Sequence, residues 1–162
     1  MQTSFTENQL KDKDNKTSET IIRKCVHCGM CNATCPTYGI NGEELEGPRG
    51  RIYLIKDMLE NKKPATKQIA KHIDSCLSCY SCMTTCPSGV NYMHLIDHGR
   101  NYVEETYKRP FFDRLFRNIL SFVLPRPKVF LLMALSSKII KPFSFLFPKF
   151  LKNALNLMPD KI

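Results

Sequence analysis

Two stretches of the chain, CVHCGMCNATCP at residues 25–36 and CLSCYSCMTTCP at residues 76–87, place cysteine and proline in the same order and at the same spacing. We call them the first and the second cysteine run. All eight cysteines of the 162-residue chain lie in these runs, and the chain has no tryptophan. A cysteine pattern this dense is typical of metal binding or redox chemistry in a reducing compartment.

The spacing within each run fits an iron–sulfur cube. Four thiolates must converge on one 4Fe–4S cluster, and two-residue gaps let a single tight loop supply three of them. In two-cluster ferredoxins the cysteine of the final Cys-Pro binds the other cube. The sequence therefore predicts two 4Fe–4S clusters with exchanged ligands. One set is Cys25, Cys28, Cys31 and Cys86, and the other is Cys76, Cys79, Cys82 and Cys35.

Other uses of these cysteines fit less well. A structural zinc site uses two pairs of ligands, so the third cysteine of each run and both Cys-Pro ends would have no role. Residues 1–20 carry four acidic residues and no apolar run, unlike a secretory signal or a mitochondrial presequence, so we expect the reducing cytosol rather than disulfides. The sequence also shows no Ser/His/Asp set, phosphate loop or flavin-binding segment. We therefore predict an electron carrier without catalytic residues of its own, which needs a partner that does the chemistry.

The segments around the second run predict three helices. The first follows the turn Gly47-Pro48-Arg49-Gly50 and has one apolar face, made of Ile52, Ile55, Met58 and Leu59. The second runs from about Thr66 to Ser75, with Thr66 as its N-cap. A weaker helical pattern extends over residues 92–107.

The end of the chain differs in composition. Residues 111–162 hold nine of the ten phenylalanines, and nine Lys/Arg against two Asp/Glu, so +7 of the net charge of +9 lies there. The spacing predicts an amphipathic helix over residues 112–123. A second apolar segment, residues 129–135, is kept short by Pro142 and Pro148 and is well below the roughly 20 residues that cross a bilayer.

Together these patterns predict a mainly α fold in three parts. Residues 1–20 are expected to be a flexible lead-in, and residues 21–109 a two-cluster, ferredoxin-like domain of the α-helical ferredoxin type. Residues 110–162 are expected to form a basic, Phe-rich helical extension.

The stretch from Cys25 to Glu60, above all GPRGRI at residues 47–52, resembles the iron–sulfur subunit of glycolate oxidase, and LMP at residues 157–159 resembles that family's linker. The resemblance implies FAD-containing partner subunits that oxidise glycolate or a related 2-hydroxy acid, and clusters that relay electrons toward the membrane quinone pool. In that family a longer C-terminal domain with further cysteine motifs follows. We therefore expect this chain to correspond to the front part only, as a fragment or a split gene product.

Several alternatives stay open at this point. Similar cysteine runs occur in subunits that serve lactate, glycerol-3-phosphate or heterodisulfide oxidoreductases, and a zinc-stabilised nucleic-acid-binding module is a remote alternative. The basic extension fits an interface with the flavoprotein or the missing domain, or contact with the cytoplasmic face of the inner membrane. No nucleic-acid-reading motif is present, so no nucleic acid is expected.

Charged and histidine side chains near the runs have two interpretations each. Arg49 and Arg51 either lie beside a cluster and stabilise its reduced form or cap the turn and face water. His27 is expected to face solvent. His94 and His98 are one helical turn apart, but without a third ligand in the pattern they are expected to be surface residues.

Overall fold

The computed structural model describes residues 1–140, and this part of the chain is helical with no strand. The α-helices are α1 (Lys13–Lys24), α2 (Pro36–Asn41), α3 (Pro48–Asn61), α4 (Lys67–Asp74), α5 (Ser81–Thr84), α6 (Tyr92–Thr106), α7 (Phe111–Val123) and α8 (Pro127–Ile140). Short 3-10 helices lie at Gln9–Lys11, Met30–Asn32 and Glu44–Glu46. The predicted mainly α fold is confirmed. The chain divides into two compact units, Met1–Lys108 and Arg109–Ile162.

The core of the first unit lies between α3 and α6, with α1 and α4 packed around them. The predicted apolar face of α3 is buried, and α6 adds Leu95, Ile96 and Val103, all at 0% exposure. Gly99 lets the two helices approach closely, because a Cβ at this position would lie 2.8 Å from Cγ1 of Ile55. This packing holds both cysteine runs against one hydrophobic core.

The helix ends follow local rules. Pro48 begins α3, where its missing N–H costs no hydrogen bond, and Lys62 ends it in the left-handed region at φ 49°. The hydroxyl of Thr66 accepts a hydrogen bond from the backbone N–H of Ile69 at 3.3 Å, so the predicted N-cap of α4 is confirmed.

The N-terminal residues differ from the flexible lead-in predicted for residues 1–20. Helix α1 begins at Lys13, where Asp12 caps it, and buries Ser18, Ile21 and Ile22. Besides these buried side chains, polar contacts with distant parts of the chain hold α1 and the residues before it in place. The Ser18 hydroxyl lies 2.7 Å from Nδ1 of His98, and Nε2 of Gln9 donates to the carbonyl of Leu59 at 2.8 Å. The apolar periodicity of the sequence does not predict such polar contacts.

Gly50 allows the Glu44–Glu46 turn to lie directly on α3. A Cβ at residue 50 would sit 2.2 Å from the backbone oxygen of Glu44, which is not a flexible group. We therefore expect Gly50→Ala to lower the free energy of unfolding by about 1–3 kcal/mol, despite the better helix propensity of alanine. Anaerobic urea denaturation followed by far-UV circular dichroism measures it.

Gly39→Ala is the matched control for this substitution. Gly39 is also in a helix, α2, but a Cβ there would meet nothing within 4 Å. It should be neutral or stabilising by up to about 1 kcal/mol. Equal urea midpoints for the two variants would contradict the close packing at Gly50.

In the second unit, α7 confirms the predicted amphipathic helix. Its apolar side chains Phe111, Phe112, Leu115, Phe116 and Phe122 are exposed, whereas Val123 at its end is buried. No single described helix is long and apolar enough to cross a membrane. Phe111–Val123 and Pro127–Ser136 are long and apolar enough only when taken together, and they form a pair bent by 114°. The predictions for Pro142, Pro148 and residues 157–159 lie outside the described residues.

Candidate metal centres

The two cysteine runs share an unusual backbone conformation. His27 and Ser78, each two residues after the first cysteine of its run, have φ values of 59° and 51°. Gly29 and Tyr80, each following the second cysteine, have φ values of 82° and 56°. Left-handed backbone is strained for every residue except glycine, and such strain persists only where the surrounding structure imposes it. The repeat therefore extends from the sequence to the shape of the loops.

The first cavity is lined by the first three thiols of the first run and by the last cysteine of the second. Its cysteines are Cys25, Cys28, Cys31 and Cys86, with Cys82 also reaching its wall. The second cavity is lined by Cys35, Cys76, Cys79 and Cys82. Each predicted set of four ligands thus lies around one cavity, and each cavity takes a cysteine from the opposite run.

Electrostatic coupling acts within each group of thiols and also between the groups, since Cys31 of the first group acts on Cys82 of the second. Burial and the neighbouring Cys25, Cys86 and Cys28 raise the pKa of the Cys31 thiol. Burial, together with the charges of Cys31, Cys76, Cys35 and Cys79, raises the pKa of Cys82 to about 12. Thiolates held this close repel one another unless cations lie between them, and metal coordination deprotonates thiols outright. All eight cysteines are free thiols, so the residues fit iron–sulfur clusters.

The two runs meet at equivalent positions. The hydroxyl of Thr85 donates to the hydroxyl of Thr34 at 3.0 Å, and each threonine directly precedes the last cysteine of its run. Contact between equivalent residues is what an approximate two-fold axis between the two runs produces.

Arg51 is buried beside the second cavity, so the interpretation that it faces water is wrong. Its side chain is 1% exposed. The guanidinium donates to the carboxylate of Glu46 at 2.9 Å, to the carbonyl of His72 at 2.7 Å and to the hydroxyl of Ser75 at 3.0 Å. It also reaches Thr37 at 3.1 Å and the sulfur of Cys35 at 3.9 Å.

Glu46 and His72 are the functional neighbours that the sequence analysis missed. The Glu46 carboxylate is 3% exposed and lies 2.8 Å from Nδ1 of His72. Burial alone would raise the pKa of Glu46, but hydrogen bonds from Ser75 and His72 and the charges of His72 and Arg51 hold it below its ordinary value. No spacing pattern in the sequence predicts this network, because its residues come from three separate segments of the chain.

Arg49 has a different role. Its side chain is 30% exposed, forms an ion pair with Glu44 and lies against Gly29 in the wall of the first cavity. His27 lines the same cavity and is exposed, as predicted.

His94 and His98 have ring centroids 6.3 Å apart, and Nδ1 of His98 is engaged by Ser18. His94 is half-buried, and so is His98, whose pKa is lowered by burial, so the expectation of surface residues is wrong. The pair joins no cluster of three possible metal ligands in the described part of the chain.

Residues 21–90 match the family described as 4Fe-4S dicluster domain. With the helical fold and the two cysteine-walled cavities, this match defines the class of site: residues 21–90 are similar to domains that hold two 4Fe–4S clusters, and two such clusters are the cofactors of this chain.

Similarity to individual proteins indicates a more specific kind of protein than the domain match does. The chain is homologous to part of the glycolate oxidase iron–sulfur subunit of Escherichia coli strain K12, with 48% identity over 143 residues, which are 88% of this chain and 35% of that protein. A probable glycolate oxidase iron–sulfur subunit of Bacillus subtilis strain 168 is 32% identical over 117 residues, 69% of this chain and 26% of the relative. The resemblance found in the sequence is thereby confirmed.

More distant similarity extends to the succinate dehydrogenase iron–sulfur subunit of Paracoccus denitrificans, with 28% identity over 76 residues, 43% of this chain and 29% of that protein. The chain spans about a third or less of the length of these curated relatives. No solved structure matches the chain.

Proposed function

We propose that this chain is the electron-transfer part of a flavin-dependent dehydrogenase for glycolate or a related 2-hydroxy acid. Oxidation of a 2-hydroxy acid to the 2-oxo acid releases two electrons and two protons, which the flavin of a partner subunit accepts. Each cluster, when bound, accepts and releases one electron. The chain thereby relays two electrons singly from the reduced flavin toward the quinone pool.

The observation that carries the proposal is the convergence of eight free thiols on two neighbouring cavities. Cys82 lines both cavities, so the two groups of thiols adjoin within one core. We assign Cys25, Cys28, Cys31 and Cys86 to one cluster and Cys76, Cys79, Cys82 and Cys35 to the other. The glycolate substrate is inferred from the names of two relatives, the glycolate oxidase subunits of Escherichia coli and Bacillus subtilis, and the FAD partner is inferred from the family resemblance of residues 25–60.

Exposed apolar and basic side chains of the second unit supply a contact surface for the partners. Phe112 is 82% exposed, and Arg126 lies over the ring of Phe122 at 4.0 Å from its centroid. An exposed apolar patch rimmed by charge is typical of a protein or membrane contact. The flavoprotein is the partner that we propose, at the cytoplasmic face of the inner membrane.

Metal content tests the two clusters directly. Protein purified without oxygen should contain about eight iron and eight acid-labile sulfide per chain and absorb broadly in the visible range. Iron, sulfide and zinc are measured on the same sample. Colourless protein with about two zinc ions would contradict the proposal and favour the zinc-stabilised nucleic-acid-binding module.

The substrate is tested with the flavoprotein subunits present. Glycolate should bleach the cluster absorbance, whereas lactate, glycerol-3-phosphate and a pair of different thiols that together form a heterodisulfide should do so much more slowly. Faster bleaching by lactate would select another 2-hydroxy acid as the substrate, and faster bleaching by glycerol-3-phosphate or the thiol pair would keep the electron relay and replace the donor.

A further inference from the structure

The two cavities differ in the hydrogen bonds that their cysteine sulfurs receive. At the second cavity, the hydroxyl of Tyr92 donates to the sulfur of Cys76 at 3.7 Å, and Nη1 of Arg51 donates to Cys35 at 3.9 Å. The backbone N–H and the hydroxyl of Ser81 hydrogen-bond to Cys79. Three of the four sulfurs therefore receive a donor from a side chain.

Among the residues that the structure describes, no side chain donates a hydrogen bond to a cysteine sulfur of the first cavity. Asn32 lies within hydrogen-bonding range of a sulfur there, with its Oδ1 3.9 Å from Cys31. That oxygen is an acceptor, and the amide nitrogen of Asn32 points instead to the carboxylate of Glu44 at 3.2 Å.

Exposure does not account for the difference, because it is matched between the cavities. Cys28 and Cys79 are exposed, and Cys25 and Cys82 are buried. The remaining four cysteines are all intermediate. Solvent access would therefore shift the reduction potentials of both clusters in the same direction.

Nearby formal charge is also matched. Arg49 at the first cavity is paired with Glu44, and Arg51 at the second is paired with Glu46. Each pair is neutral overall. What distinguishes them is that Arg51 donates directly to a sulfur and is 1% exposed, whereas Arg49 is 30% exposed and screened by solvent.

Hydrogen bonds to cluster sulfurs favour the reduced state, which carries one more negative charge, and so raise the reduction potential. We propose that the cluster in the second cavity has the higher reduction potential and takes up the first electron, with Tyr92, Arg51 and Ser81 as the residues that set the difference. This proposal rests on the two-cluster function above.

Tyr92 is the sharpest residue to test. It is 3% exposed, and its hydroxyl donates to the sulfur of Cys76. Tyr92→Phe removes the oxygen and keeps the ring that packs in the core.

We expect Tyr92→Phe to reduce the equilibrium constant for reduction of the higher-potential cluster by about three- to tenfold, a tenfold change being 59 mV for one electron. The equilibrium constant for reduction of the lower-potential cluster should change by less than about twofold, because the sulfurs of that cluster lose no hydrogen-bond donor. The measurement is an anaerobic potentiometric titration with dithionite, followed by electron paramagnetic resonance of the full chain.

Tyr80→Phe is the matched control, because it removes a hydroxyl from the wall of the same cavity without removing a donor to Cys76. It should leave both potentials in place. Ser81→Ala is the second test, because Tyr92 also lines the first cavity whereas Ser81 donates to Cys79. It too should lower the higher potential, and it remains informative if Tyr92→Phe loads poorly.

The outcomes separate this proposal from the proposed function. If both clusters are loaded and the lower of the two reduction potentials falls in Tyr92→Phe or in Ser81→Ala, the assignment of the first electron is overturned. It is also overturned if neither reduction potential moves in either variant. Both results would leave the electron relay intact. Wild-type protein that holds no iron would overturn the relay itself.

Discussion

Cys35→Ala is expected to empty the second cavity and to leave the first cavity loaded, so that iron falls from about eight to about four per chain. Cys35 belongs to the first run, but its sulfur lines the cavity of Cys76, Cys79 and Cys82. Alanine cannot bind iron, and a cube that keeps three thiolates is readily lost. Iron and sulfide analysis of protein purified without oxygen gives the result.

Two double variants decide between exchanged and unexchanged ligands. With exchange, Cys35→Ala combined with Cys82→Ala removes two ligands of one cube and should still leave about four iron. Cys35→Ala combined with Cys31→Ala damages both cubes and should leave almost none. The opposite pattern would show that each run holds its own cluster, and a Cys35→Ala protein with eight iron would remove Cys35 from the site.

Arg51→Met is expected to lower the free energy of unfolding by about 3–5 kcal/mol, because it leaves the buried carboxylate of Glu46 without its cation. The same change removes donors to the carbonyl of His72 and the hydroxyl of Ser75. Methionine fills much of the space of the arginine stem, so the loss reflects charge and hydrogen bonding. Anaerobic urea denaturation at matched iron content measures the change.

Arg49→Met is the control for this prediction, since the ion pair of Arg49 with Glu44 is partly exposed and should be worth about 1 kcal/mol or less. Glu46→Gln in the Arg51→Met background should recover part of the stability, because it removes the unpaired charge. Equal losses for Arg49→Met and Arg51→Met would contradict a special role for the buried pair.

Local sequence patterns predicted the parts of the fold that depend on neighbouring residues. The spacing of the cysteine runs, the apolar face of α3 and the Thr66 cap each involve residues within about one or two helical turns. The grouping of thiols around two cavities was also predicted, because the spacing of each run leaves its last cysteine unable to reach its own loop.

What could not be predicted depends on residues far apart in the chain. Helix α1 is held by His98, which lies 80 residues after its partner Ser18. The environment of Arg51 combines residues 37, 46, 72 and 75, whose proximity is a property of the folded chain. The donors Tyr92 and Ser81 likewise look ordinary in the sequence, and their importance follows from the sulfurs that they face.

The hydrogen bond between Thr34 and Thr85 joins two halves that are incomplete by themselves. With exchanged ligands, a peptide cut between the runs would offer three thiolates and one vacant corner to each cube. With ligands from both halves, either cube ties the two halves together when it binds, so we expect part of the free energy of cluster binding to stabilise the folded chain.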